Sequence, residues 1–296
     1  MNSFSPSDAA LEGFRLTRER PGTVLAWGGV YFAGIMVMAI IMIVGIGPKF
    51  ITFLKEQRLQ SGDTEAFGSL LAQSWPAFLV VLAAAVFLLA VLTAGIYRLV
   101  LRPSEKGFSH LKLGRDELRL ALVHLLLFAI GMAFLFAIDI IVAMGQRAGG
   151  GPVTLVLGVV GLVAAVLMIW VGVRLSLATP MAFAEQRFSL AAAWRMTRGR
   201  FWSLFGMIVL AVIFYVMIWI LVSIIGYLFV TLAGGAEAIM NPASLSPARL
   251  LAFVANFILQ LVLPILQVVM IYAPLAVAYQ RIAPVQPERV AEAFGS

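Results

Sequence analysis

Apolar runs of about 20 residues or more, separated by short polar segments, form the dominant pattern of this chain. A run of that length can cross the hydrocarbon core of a bilayer as one helix. Six occur, at about 24–47, 75–101, 118–144, 153–179, 203–233 and 250–280. They predict an all-α integral membrane fold, with six transmembrane helices arranged as three hairpins, each preceded or joined by short cytoplasmic interfacial helices. No polar stretch is long enough for an independent soluble domain, so residues 1–296 are expected to form a single polytopic membrane domain. Arg15, Arg18 and Arg20 precede the first run as they would in a signal peptide. Its length of about 24 residues exceeds the roughly 7–15 of a signal core, and no A-x-A-like site closes it. It is expected to stay as an anchor.

Composition narrows the chemistry. Hydrophobic residues make up 62% of the chain and charged residues 12%, with a mean hydropathy of +1.02. Soluble domains carry about 25% charged residues. Without cysteine there are no disulfides, thiolate nucleophiles or Cys-ligated metals, and the two histidines, His110 and His124, make no metal site. No metal and no cofactor are expected.

Basic residues set the predicted orientation. Sixteen of the 21 Lys and Arg fall at the N-terminus, the second and fourth connections and the C-terminus. Translocating basic residues is disfavoured, so that side is read as cytoplasmic, with both termini inside. Seventeen arginines against four lysines, with abundant Ala and Gly, suggest GC-rich codons and hence a multi-pass protein of the bacterial inner membrane. The net charge of +7 does not point to nucleic acid, because the basic residues gather at span ends beside Trp27, Trp194 and Trp202. Anionic phospholipid headgroups are the expected counterparts, at about 1 kcal/mol per basic residue near the surface.

A repeat runs through these connections. Phe14-Arg15-Leu16-Thr17-Arg18-Glu19-Arg20 aligns without gaps on Trp194-Arg195-Met196-Thr197-Arg198-Gly199-Arg200, a constant offset of 180. Gly95 to Pro103 pairs similarly with Gly172 to Pro180, each closing a span. The simplest reading is three units, each an interfacial helix followed by a hairpin. The first such helix is placed at about 6–20, capped by Ser5 or Asp8, with Leu11 and Phe14 toward lipid. Ser189 is placed as the cap of a helix over 190–200, and Pro103 and Pro180 as the ends of their spans.

The later connection also resembles a known family. Arg174-Leu175-Ser176-Leu177-Ala178-Thr179-Pro180, then Glu185, Ala191-Ala192-Ala193-Trp194-Arg195 and Gly199-Arg200-Phe201-Trp202 are similar to the membrane domain attached to some bacterial glycerophosphoryl diester phosphodiesterases, and to stand-alone inner-membrane relatives. The resemblance covers about residues 170–215. In that family hydrolysis belongs to a separate soluble domain, so the resemblance implies a membrane module and transfers no catalytic residue.

Polar groups inside the spans are the remaining candidates. Asp139 is either a proton or cation site or a partner of Arg147, and His124 is read as an interhelical hydrogen-bonding residue. Asn256, Gln260, Pro264 and Gln267 share one face of the sixth span, and Pro264 and Pro274 each remove a backbone donor. Such a stripe fits a solute path or interhelical hydrogen bonding. Ala129, Ala133 and Ala137, and Gly161 with Ala165, allow close helix approach. Gly149-Gly150-Gly151-Pro152 reads as a short outer turn. Phe50, Phe53 and Leu54 with Lys55, Glu56 and Arg58 read as an outer amphipathic helix, and 234–249 as an irregular loop.

No H-E-x-x-H, G-x-S-x-G or Walker-type phosphate loop occurs, and no catalytic constellation is found. The first functional expectation is a non-enzymatic membrane module that organises lipid or partner proteins through a basic cytoplasmic face. Arg15, Arg18, Arg20, Arg195, Arg198 and Arg200 would hold phosphate headgroups, with a membrane protein or a second copy as further partner. The competing expectation is a small-solute transporter or channel using Asn256, Gln260 and Gln267, with Asp139.

Overall fold

The computed structural model describes residues 5–55, 64–105, 109–232, 234–235 and 246–283. Six long helices carry the six apolar runs: α3 (Pro21–Lys55), α4 (Thr64–Leu101), α5 (Arg115–Arg147), α6 (Pro152–Leu175), α9 (Phe201–Leu232) and α10 (Pro247–Ile282). Each contains a segment long and apolar enough to cross a membrane. Four short helices flank or join them: α1 (Pro6–Ala10), α2 (Glu12–Glu19), α7 (Ala178–Glu185) and α8 (Leu190–Met196). The long helices pair in order as the hairpins α3–α4, α5–α6 and α9–α10, and α4 packs against both α5 and α10. The turn between α5 and α6 is the expected glycine run. Gly149, Gly150 and Gly151 have φ of +68°, +94° and +84°, which glycine adopts without Cβ strain, and Pro152 opens α6 where no backbone donor is needed.

Several boundaries differ from those read off the sequence. Instead of ending near residue 47, α3 continues past Pro48 to Lys55, so Phe50 lies on the same helix and no separate outer helix begins there; Glu56 and Arg58 lie outside the described residues. Continuing the helix keeps its backbone groups paired in a medium that offers them no water. Arg249 stands in the first turn of α10, where the Ser246 hydroxyl accepts its N–H at 3.3 Å; most of the expected loop, 236–245, lies outside the described residues. The fourth span stops at Leu175, not at Pro180. Proline has no N–H to donate to the Ser176 carbonyl, so the helix breaks at Ser176–Leu177 and Pro180 sits in the first turn of α7.

The N-terminal segment is two helices instead of one. The Ser5 hydroxyl accepts the Asp8 N–H at 3.4 Å and caps α1. It lies along α9 while α2 packs on α10, burying Ala9, Ala10, Gly13 and Leu16 and leaving Leu11 and Phe14 outward. Gly13 is required by that approach: a Cβ there would stand 2.8 Å from the Met270 Cα and 3.3 Å from the Val269 carbonyl oxygen.

The offset of 180 survives in three dimensions. Thr17 donates to the Gly13 carbonyl at 2.9 Å and Thr197 to the Ala193 carbonyl at 3.1 Å. Val24 N–H donates to the Arg20 carbonyl at 3.2 Å and Leu204 N–H to the Arg200 carbonyl at 3.1 Å, opening α3 and α9 in the same way. The copies part after Leu16 and Met196: 17–19 continue the helix, whereas 197–199 form a turn. Glu19 is helical, whereas Gly199 takes a φ of +78° in a turn after α8, which therefore ends at Met196 and not at 200. The middle hairpin departs further, because the described part of 102–114 contains no helix before α5.

Full burial is concentrated toward the basic end of the bundle. Trp27, Ile96, Tyr97, Arg98, Leu120, Phe183, Leu204 and Met270 are all enclosed there. The other halves of the long helices expose Ile40, Val44, Leu79, Ile140, Leu155 and Leu251. Apolar side chains facing outward are the expected surface toward lipid, where exposure carries no hydrophobic penalty.

Gly13→Val forces side-chain atoms into the α10 backbone and is expected to cost about 1–3 kcal/mol. Gly28→Ala, with nothing within 4 Å of its new Cβ, is expected to leave stability unchanged or higher. Thermal unfolding of both variants in detergent checks the contrast; equal midpoints would remove the close-approach role of Gly13.

Candidate functional site

The arginines of the repeat occupy two related places, the junction of α2 with α3 and that of α8 with α9. Arg18, Arg20, Arg195, Arg198 and Arg200 are exposed and form no ion pair among the described residues. Arg15 is different. It pairs with Glu12 at 3.1 Å and lies 3.8 Å from Glu19, so its charge is already offset. Burial pushes the Glu12 carboxyl up from its ordinary value, against the pull of Arg15 and, from α10, of Arg281. Beside the second junction, Phe201, Trp202 and Phe205 form an aromatic cluster, and Trp202 is 78% exposed. An exposed Trp next to arginines at a helix end matches the composition of a membrane–water boundary.

Other basic residues of the same side do not face lipid. Arg98 and Glu117 are 2% and 1% exposed and meet at 2.6 Å. The Arg98 guanidinium also donates to the His110 carbonyl at 2.7 Å, lies 3.3 Å from a Glu105 carboxylate oxygen, and sits 5.5 Å from the centre of the Phe183 ring. Next to it, Arg102 donates to the Phe183 carbonyl at 3.0 Å, pairs with Glu105 and Asp116 at 3.3 and 3.4 Å, and covers the other contact of the Phe183 ring at 4.8 Å. Lys112 reaches Glu105 at 3.1 Å. Burial works against the Glu105 charge, but the Lys112 hydrogen bond and the Lys112 and Arg102 charges outweigh it and hold the carboxyl below its ordinary value. Trp27, expected at the headgroup level, is likewise buried, and its indole N–H donates to the Ser109 carbonyl at 2.9 Å.

Arg174, which opens the family-like motif of the fourth connection without a role of its own there, has distinctive surroundings. Its guanidinium carbon lies 5.5 Å from the Trp170 ring centre and 5.2 Å from that of Trp194. The spacing of Trp170 and Arg174, one helical turn, was the available signal; Trp194 arrives from another helix.

The polar stripe of α10 is divided. Asn256 packs on α9, where a Cβ at Gly226 would come within 2.8 Å of the Asn256 Oδ1 and 3.6 Å of the Gln260 Nε2; Gln260 is otherwise exposed, as is Gln267. Pro264 and Pro274 both lie inside the continuous helix. Asp139 and Arg147 are both exposed, and Asp139 makes no ion pair with Arg147 or any other described residue. His124 bonds within its own helix instead of across helices: Nδ1–H donates to the Leu120 carbonyl at 2.8 Å, and the ring meets Tyr272 of α10 at 5.6 Å between centres. Ala129, Ala133 and Ala137 face outward, whereas Gly161 is buried against Ile141. No group of three or more His, Cys, Asp or Glu that would hold a metal occurs among the described residues.

No protein-family profile, curated protein or solved structure matches this chain. The arginines and their partners therefore carry the functional reading.

Glu117→Gln leaves the buried Arg98 charge without its closest counterion and is expected to cost about 3–5 kcal/mol; Arg98→Met combined with Glu117→Leu should recover most of that loss. Denaturation midpoints of the three proteins in detergent decide it. Glu105, whose carboxyl lies below its ordinary 4.5 in the folded protein, contributes stability that is present above that pH and lost as the pH falls through its folded value. The stability difference between wild type and Glu105→Gln is thus expected to shrink on acidification below pH 4.5 and to be constant from pH 6 to pH 8, as read by thermal unfolding across about five pH values.

Proposed function

We propose that this protein is a non-enzymatic membrane module of the bacterial inner membrane that organises anionic phospholipid, and through it partner membrane proteins, at a basic cytoplasmic face. One observation carries the reading: the sorting of arginine charge. Arg98 and Arg102 are neutralised by Glu117, Glu105 and Asp116, whereas Arg18, Arg20, Arg195, Arg198 and Arg200 have no carboxylate partner among the described residues. The unpaired charges collect at two structurally related helix starts, one of them flanked by the exposed Trp202. Anionic headgroups meet such a surface with favourable Coulomb energy and with phosphate oxygens able to accept several N–H bonds. The resemblance of residues 170–215 to a phosphodiesterase-associated membrane domain supports the same reading of a module without its own hydrolytic centre.

Arg15 is left out of the working set, because Glu12 and Glu19 already occupy it. Replacing Arg18, Arg20, Arg195, Arg198 and Arg200 together by Gln is expected to weaken retention of anionic lipid by about 1 kcal/mol per residue near the surface. Native mass spectrometry of the wild type and the five-fold variant, extracted gently from the same membrane, reads this directly. An unaltered lipid complement on the variant would sink the proposal.

A further inference from the structure

Arg174 stands in the last turn of α6 and is held in a way no other arginine of the described residues shares. Trp170 and Trp194 meet edge to face, 5.0 Å between ring centres at 86°, and the guanidinium contacts both rings. Nε and Nη1 are buried and have no hydrogen-bond partner; Nη2 is outside that buried set. The comparison with Arg98 is instructive. There, burial of the charge is offset by Glu117 and the His110 carbonyl; here no carboxylate or carbonyl among the described residues takes that part. Aromatic faces attract a guanidinium but supply no lone pair in the plane of its N–H groups, so the cation keeps its net charge, and Nη2 is the nitrogen left outside the buried set to meet a ligand.

Position strengthens this. The Thr197 hydroxyl, 3.1 Å from the Ala193 carbonyl, also stands 3.0 Å from the Arg174 carbonyl and shares its one proton between them, joining the end of α6 to the turn that carries Arg198, Gly199 and Arg200. Arg198 and Arg200 are exposed and unpaired among the described residues, and a Cβ at Gly199 would meet nothing within 4 Å, so the surface beside the turn is open. A rigid planar cation at the basic end of the spans, with two further arginines one turn away, suits an oxyanion with several acceptor oxygens.

We propose that Arg174, packed against the edge-to-face pair of Trp170 and Trp194, binds one phosphate group, taken from the headgroup of a single anionic phospholipid lodged at the α6–α8 corner. The lipid source rests on the functional reading above; the phosphate chemistry does not, because a free phosphate offers the same oxygens. Unlike the diffuse attraction of the exposed arginines, this contact has a fixed geometry and a stoichiometry of one. Lysine is no substitute, since an ammonium neither stacks on two rings nor presents a planar fork.

The test uses the full chain in detergent with two probes, phosphatidylglycerol and inorganic phosphate, followed by native mass spectrometry titration. Wild type is expected to hold one phosphatidylglycerol more tightly than the rest, and Arg174→Gln to weaken that single step about tenfold or more while leaving the later, weaker steps intact. Arg174→Lys keeps charge and stem, so it tests the planar contact even where the neutral variant fails to fold, and it is expected to weaken the same step. Weakening of inorganic phosphate binding alone would keep the phosphate site and overturn its lipid source. Wild-type titrations for both variants with both probes would overturn the site. A triple variant, Arg18→Gln with Arg20→Gln and Arg195→Gln, spares the two arginines beside the site and separates the two ideas. If it retains the single tight lipid but loses the weaker ones, both stand. If it loses nothing while Arg174→Gln loses one, the functional reading fails and this site survives.

Discussion

The ion pair between Arg98 and Glu117 holds the first two hairpins in register. Its 2.6 Å contact joins the end of α4 to the first turn of α5, and both side chains are almost completely enclosed. A guanidinium placed that deep keeps its charge only if its N–H groups find acceptors, and the connection between α4 and α5 supplies them through the His110 carbonyl and Glu105. That segment in turn adopts a conformation that ordinary residues resist: Ser109 and His110 have φ of 48° and 61°. Trp27 of α3 ties it down from the other side by donating to the Ser109 carbonyl, and Phe183 of α7 lies against both Arg98 and Arg102. Four helices and one loop thus converge on a single buried charge.

Around that centre the protein uses one residue type in three ways. Arg98 and Arg102 are structural, their charge consumed by carboxylates. Arg18, Arg20, Arg195, Arg198 and Arg200 stay in the open, where a salt-screened surface would give them little to do for stability. Arg174 is enclosed by tryptophan without being neutralised. The division follows from where acidic residues are available. Glu105, Asp116 and Glu117 all lie within or beside the second basic connection, and the stretch from Arg187 to Arg200 contains no acidic residue at all.

Packing and lipid exposure divide the bundle along its length. The basic half is closed by small and aromatic residues, as where Gly13 lets α2 reach the backbone of α10 and Tyr97 meets the Thr179 hydroxyl at 2.6 Å. In the other half the helices expose apolar faces broadly, and there the short glycine turn between α5 and α6 is the main fixed feature among the described residues. The closely packed end is therefore also the end that carries the unpaired charge, so the arginines of the repeat project from the densest part of the bundle.

Six spans, their hairpin order and the offset of 180 between two connections were legible in the sequence, because each depends on local runs and spacings: a bilayer demands about 20 apolar residues per crossing, and a duplicated segment keeps its order. Ser5 and Ser189 were readable as caps for the same reason, since a capping hydroxyl acts within three residues of itself. What became of each charge was not legible. Arg98 finds Glu117 across a connection in which Ser109 and His110 are left-handed, and Arg174 finds Trp194 through a turn and another helix. His124 turned back to its own Leu120, and the stripe from Asn256 to Gln267 split between a helix contact and the exposed surface. Periodicity assigns a residue to a face of its helix; only the tertiary structure determines what that face meets, because ion pairing and aromatic stacking act over a few ångströms between residues that the chain holds far apart.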